Sequence, residues 1–159
     1  MKKEYTNPGV SQDAAEAAAD AKRKPLRESV YIKKSVLANM INHCQQELPY
    51  EACGLLSGRL GKNETQWIMN NTERSRTSFA MDLGEMTRTL NLIKQKSEGM
   101  TGIYHSHPTA PPVPSRNDII HAYYPDAAYF IISLASGKPR VKCYRIRNEK
   151  VRALTIIEM

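Results

Sequence analysis

The chain has 159 residues, 41% of them hydrophobic and 25% charged, with eight Tyr, two Phe and one Trp. That apolar supply fits one domain with a real core plus a short appendage, and excludes global disorder and a multi-domain machine. Lys and Arg outnumber Asp and Glu by 23 to 16, a net charge of +7, which permits attraction to an acidic protein. The basic residues are scattered, without a Lys/Arg block or interleaved aromatics, so a solvated basic surface is favoured over nucleic-acid binding.

The longest uncharged apolar-leaning run, Ala127 to Gly137, is far short of the roughly 20 residues that a bilayer crossing needs, so no membrane role is expected. Lys2 and Lys3 are followed by a polar, acidic stretch rather than the apolar core of a signal peptide. Cys44, Cys53 and Cys143 are odd in number and form no CxxC pair, which argues against a disulfide scaffold or a cysteine zinc knuckle and suits a reducing cytoplasm.

Residues 1–28 read as a flexible N-terminal tail. Asn7-Pro8-Gly9 is a turn signal, and Asp13 to Ala21 holds six alanines among acidic residues, too short and too lacking in an apolar face to be a stable helix alone. The folded domain is expected over 29–159. Val30 to Ile32 reads as a strand, and Ser35 to Glu47 as an amphipathic helix through Val36, Leu37, Met40, Ile41 and Cys44. Cys53 to Leu60 and Thr65 to Met69 follow as strands joined by a turn at Gly61-Lys62-Asn63. Phe79 to Asp82 is a further expected strand, Gly84 to Glu98 a helix capped by Gly99, and Met100 to His105 a strand running into a proline-rich loop. Ser115 to Tyr123 reads as a short helix, and Ala127 to Leu134, Arg140 to Arg145 and Val151 to Ile157 as strands. The sum is an α+β domain with a mixed, mainly antiparallel sheet flanked by helices.

Chemistry concentrates where the strand ending in His105-Ser106-His107 meets the loop. Alternate strand residues share a face, so His105 and His107 can converge on one ion, and imidazole nitrogens suit zinc. Four prolines in the seven residues from Pro108 to Pro114 stiffen the connection that delivers the next segment. There, Ser115-x-x-Asp118 is a capping box in its plain reading; in the sharper one Asp118 offers a carboxylate oxygen to the same ion while Ser115 stands beside it as a donor. Two His and one carboxylate leave a fourth position open, the arrangement of a catalytic rather than a structural zinc. Glu51, just before the apolar run Ala52 to Leu56, is either a solvated chain-end group or a placed base, with the basicity of an ordinary carboxylate. Cys53 reads as inert packing, and His43 and His121, lacking ligand-spaced partners, as surface or core-edge residues.

Glu51, His105-x-His107 and Ser115-x-x-Asp118, with seven residues between the second His and the Ser, together resemble the JAMM motif of the MPN+ metalloproteases. The likeness extends from about Val30 to the C-terminus through the Glu-x-Cys-Gly-Leu-Leu, Gly-x-Tyr-His-Ser-His and Pro-Ser-x-x-Asp segments. It implies the MPN fold with its cytidine-deaminase-like core. It further implies one Zn²⁺ on His105, His107 and Asp118, with Glu51 and Ser115 as catalytic residues, and hydrolysis after the C-terminal glycine of a ubiquitin-like or sulfur-carrier protein. The other reading of the same fold is a noncatalytic module that holds a ubiquitin-like partner.

Overall fold

The computed structural model describes residues 27–159; the expected tail falls almost wholly outside them. Strand β1 (Ser29–Ile32) leads to helix α1 (Lys34–Gln46), then β2 (Cys53–Gly58) and β3 (Thr65–Met69). Helix α2 (Leu83–Gln95) precedes β4 (Gly99–His107), the short helix α3 (Arg116–Ile120), and the strands β5 (Ala128–Ser133), β6 (Arg140–Arg147) and β7 (Lys150–Glu158). The strands form one sheet in the order β1-β7-β6-β5-β4-β2-β3. The pairs β1–β7 and β4–β5 are parallel and the others antiparallel, the mixed sheet expected from sequence.

Both faces of the sheet are covered. Val36, Met40 and Cys44 of α1 pack with Leu56, Tyr104, Phe130 and Ile132 on one face. On the other, Leu55, Ile103, Tyr129, Ile131 and Ile146 meet Met86 and Leu90 of α2 and Ile119 of α3. The strict alternation along β4, with Ile103 on the second face and Tyr104 on the first, sends His105 and His107 toward α2 and α3.

Three expected elements differ. Phe79 to Asp82 is not a strand: its Ala80 N–H goes to a side chain, Asn71 Oδ1, and the Ala80 carbonyl accepts from Thr72 N–H and Oγ1, while Asn71 Nδ2 donates to the neighbouring Ser78 and Glu51 carbonyls. The left-handed residue after α2 is Ser97 (φ 57°) rather than Gly99; Glu98 N–H closes the turn on the Ile93 carbonyl, and Gly99 already pairs with Gly58 in the β2–β4 ladder. Helix α3 stops at Ile120 rather than Tyr123, with Pro125 close behind to discourage helical backbone before it.

His43 is also not at the surface. It is 5% exposed and its Nδ1 lies 2.8 Å from the Tyr104 hydroxyl. Gln66 Nε2 donates to the same hydroxyl at 2.8 Å, so the Tyr104 proton is free to point at a neutral His43. Burial, against the pull of Glu47, holds that imidazole below its usual pKa.

Gly54 sits beneath the Tyr104 ring, where a Cβ would lie 2.2–2.5 Å from Cε1, Cζ and the hydroxyl. Gly54→Ala should therefore lower unfolding stability by about 1–3 kcal/mol or more, as overpacking a dense core does, read as a reduced urea midpoint at unchanged slope.

Candidate metal centre

The end of β4 presents His105 and His107 from one face, and the proline-rich loop brings α3 back across them. That loop is held by its carbonyls: Ser133 Oγ donates to Ala110 O at 2.6 Å, His107 Nδ1 to Pro111 O at 2.8 Å and Tyr144 Oη to Pro112 O at 2.6 Å. Ser115 then caps α3 in a reciprocal box. Its hydroxyl accepts from Asp118 N–H at 3.0 Å, and its own N–H donates to Asp118 Oδ2 at 2.8 Å. The capping and the ligand-like readings of this motif thus coexist, since the box is what aims the carboxylate.

Three donor atoms converge. His105 Nε2 and His107 Nε2 are 3.1 Å apart, and Asp118 Oδ2 lies 3.2 Å from the first and 3.1 Å from the second. A tetrahedral ion with bonds of about 2.0–2.1 Å asks for donor separations of about 3.3–3.4 Å, so the triangle fits with little adjustment. The donor chemistry agrees. Because the Pro111 carbonyl can only accept, His107 Nδ1 carries a hydrogen, which leaves a lone pair on Nε2 of the neutral ring. A lone pair there faces a second imidazole and a carboxylate oxygen, an arrangement that calls for a proton or a cation in its midst. Among the described residues, these three form the single group of side chains placed to hold a metal ion.

The electrostatics follow from the burial of this cluster. Burial works to raise Asp118, but hydrogen bonds from His105 and His107 prevail and hold it well below the carboxylate range. Burial depresses His105, and Asp118 does not fully offset it. For His107 burial is the largest influence and pulls downward, yet Asp118 and the Pro111 carbonyl together leave the ring above its ordinary value.

Glu51 belongs to the same face. Antiparallel register pairs Cys53 with His105, and Ser106 N–H donates to the Ala52 carbonyl, so Glu51 falls opposite His107. It is 3% exposed, and Oε2 is buried without a protein partner. Burial pushes its pKa up to about 8 despite the attraction of His107. The solvated chain-end reading fails, and so does ordinary basicity; burial is the reason for both. Cys53 is buried and its thiol is pushed up to about 12 by burial, consistent with inert packing. His121 is exposed, its Nδ1 donating to Asn117 O.

Two contributors were not visible in the sequence. Phe79 stacks on His105, with ring centroids 4.6 Å apart and planes at 26°, which fixes the imidazole plane; its only sequence signal was an apolar residue in a segment that reads as a strand. A cleft of about 460 Å³ also opens beside His105 and Asp118, lined among others by Met81, Leu83, Met86, Tyr123 and Tyr124. Its walls come from two loops, α2, α3 and the strands β4, β5 and β6, which no single stretch of chain reveals.

The sequence matches the prokaryotic homologs of the JAB domain over residues 33–147. It is 34% identical over 118 residues to the CysO-cysteine peptidase of Mycobacterium tuberculosis, covering 72% of this chain and 81% of the relative. It is 29% identical over 127 residues to the desampylase of Haloferax volcanii, covering 78% and 89%. The solution structure of a protein from Desulfitobacterium hafniense superposes with a TM-score of 0.73 at 34% identity, over 82% of this chain and 92% of that one. A JAB1/MPN domain protein from Archaeoglobus fulgidus superposes at 0.55 with 18% identity over 81% and 98%, a likeness of fold.

Metal analysis should find one divalent ion per chain, lost in His107→Ala and in Asp118→Ala. Protons compete for the same nitrogens, and His107 holds its proton more tightly than an ordinary imidazole. Affinity measured by chelator competition should accordingly fall as pH is lowered through the His range; binding indifferent to pH 5–8 would contradict this donor set.

Proposed function

From the membership of this chain in the family of prokaryotic JAB-domain homologs, we propose a zinc-dependent peptidase or isopeptidase cutting after the C-terminal glycine of a ubiquitin-like or sulfur-carrier protein. The observation that carries this reading is the triangle of His105, His107 and Asp118 donors with an unpartnered, buried Glu51 carboxylate on the same face. His105, His107 and Asp118 would hold the zinc ion, which would supply Lewis acidity for attack on the carbonyl. The rest is work for the chain. Glu51 takes a proton from the attacking water and passes it to the leaving amine, a task for which burial, which raises its basicity, suits it better than solvation would. Ser115 Oγ accepts from Asp118 N–H, so its own hydrogen remains available to the oxyanion that develops on the scissile carbonyl.

The cleft beside the donors, open and largely apolar in its lining, supports an extended chain end as substrate. A diglycine terminus has no side chains and can lie extended beside the donors. The names of the relatives, a CysO-cysteine peptidase and a desampylase, support a carrier adduct or conjugate as the substrate class. Specificity then rests mainly on the carrier's folded body, which the +7 net charge favours if that body is acidic. The three cysteines are free and buried, in keeping with a reducing, cytoplasmic setting.

A direct test offers the CysO–cysteine adduct, and a carrier–reporter fusion joined after the terminal glycine, to the zinc-loaded protein. Cleavage after that glycine is expected, slowing as salt rises and weak on a short peptide with the same end. Equal kcat/KM on peptide and folded fusion would mean that the body is not recognised. Glu51→Gln should keep its zinc and lose about 10²- to 10⁴-fold in turnover; near-normal turnover would remove Glu51 as the base. Ser115→Ala should lose about 10²- to 10³-fold in kcat if its hydroxyl meets the oxyanion. If it serves only as a cap, the cost is about 1 kcal/mol of stability with kcat intact.

A further inference from the structure

Ser106 stands between the two histidines yet faces away from them. It is fully buried, 0% exposed, on the side of β4 that carries Tyr104 and packs against α1. At this point the β2–β4 ladder ends in an unusual way. In the hydrogen-bonded pairs of a regular antiparallel ladder, the two facing residues exchange both backbone hydrogen bonds. Ser106 N–H does donate to the Ala52 carbonyl, at 3.0 Å. The return bond, however, goes from Ala52 N–H to Ser106 Oγ, at 2.8 Å. A side-chain oxygen replaces the carbonyl, and it does so for a donor that is itself buried, since Ala52 is 2% exposed.

The residue just beyond this closure is Glu51. Its N–H donates to the Ser75 carbonyl at 2.8 Å and its carbonyl accepts from Asn71 Nδ2 at 3.1 Å. The peptide linking Glu51 to Ala52 is thus gripped by Asn71 through its oxygen and by Ser106 through its nitrogen. Both histidines extend from the same backbone that supplies Ser106. One hydroxyl therefore fixes the strand end that carries the carboxylate to the strand end that carries the imidazoles, without touching either.

We infer that Ser106 is a positioning residue for the hydrolysis: its Oγ sets the placement of Glu51 relative to the His105–His107–Asp118 triangle. The inference rests on Glu51 being the base, as proposed above. Ser106 faces away from the triangle, and its loss would leave the buried Ala52 N–H unpaired at some cost in stability, so the inference is carried by turnover read at retained zinc.

The experiment compares Ser106→Ala, Ser106→Thr and Ser106→Cys as zinc-loaded full chains, alone and combined with Glu51→Gln. It reads zinc affinity by chelator competition, exchange of the Ala52 amide by NMR, and kcat and KM on the carrier–reporter fusion. Ser106→Ala is expected to retain one zinc with affinity within a few-fold of the parent. Ala52 exchange should quicken by at least about tenfold, and kcat should fall by about 10- to 10²-fold at unchanged KM, the scale of an ångström-sized misplacement. Ser106→Thr should restore both readings, and Ser106→Cys, a weaker acceptor, should lie between, providing the graded comparison if the alanine variant does not fold. In the Glu51→Gln background Ser106→Ala should cost no further turnover. A fast Ala52 amide with unchanged kcat overturns the inference, as does loss of zinc or an undiminished penalty in the Glu51→Gln background. Normal turnover in Glu51→Gln alone is a separate result, and it overturns the base assignment together with everything built on it.

Discussion

Everything at the site depends on the pairing of β2 against β4, which sets Cys53 opposite His105. A strand shows its side chains to alternate faces, and a slip of one residue would turn both histidines into the core beneath α1. The register is held by shape as well as by hydrogen bonds. Gly54 leaves room for the Tyr104 ring, whose hydroxyl is in turn held between His43 and Gln66. The back of β4 is thus keyed to α1 and β3 by hydroxyl contacts, and this leaves the front free to carry groups selected for chemistry instead of packing.

The second requirement is that a carboxylate and two imidazoles be kept close together, out of water. Isolated ionised groups would be costly there. The structure meets the cost locally: Asp118 receives the Ser115 N–H in addition to the imidazoles, and the Pro111 carbonyl sets the tautomer of His107. Two atoms go unanswered, Oε2 of Glu51 and Nδ1 of His105. The unanswered Glu51 oxygen is where a reacting proton can be handled without first breaking an existing contact.

Much of this was legible in the sequence, for identifiable reasons. The period-two argument placed His105 and His107 on one face because it depends only on strand geometry, and Ser115-x-x-Asp118 could be read as a helix start because capping is local. The apolar periodicity of α1 and the strand runs of β2 and β3 were likewise short-range signals. What escaped were features decided by contacts between distant segments. His43 was read as peripheral because nothing nearby in sequence reveals Tyr104, 61 residues on. The basicity of Glu51 depends on burial, which a composition pattern does not report. Phe79 to Asp82 has the look of a strand, but Ala80 bonds locally to Asn71 and Thr72, and the aromatic ring of Phe79 becomes a wall for His105.

The proline-rich loop is attached to the body of the protein through three successive main-chain carbonyls, those of Ala110, Pro111 and Pro112, while Thr109 and Val113 point outward to solvent. Every amino acid brings a carbonyl, so the attachment itself makes few demands on the exposed positions, whereas the side chains of Pro108 and Pro112 are buried. It makes a strict demand on how many there are, since one insertion or deletion would move Asp118 out of step with the imidazoles. Substitutions at the exposed positions Thr109, Ala110 and Val113 should thus be tolerated as long as the count is kept, and the spacing between the second histidine and the helix-capping serine constrains the site more tightly than the letters at those positions.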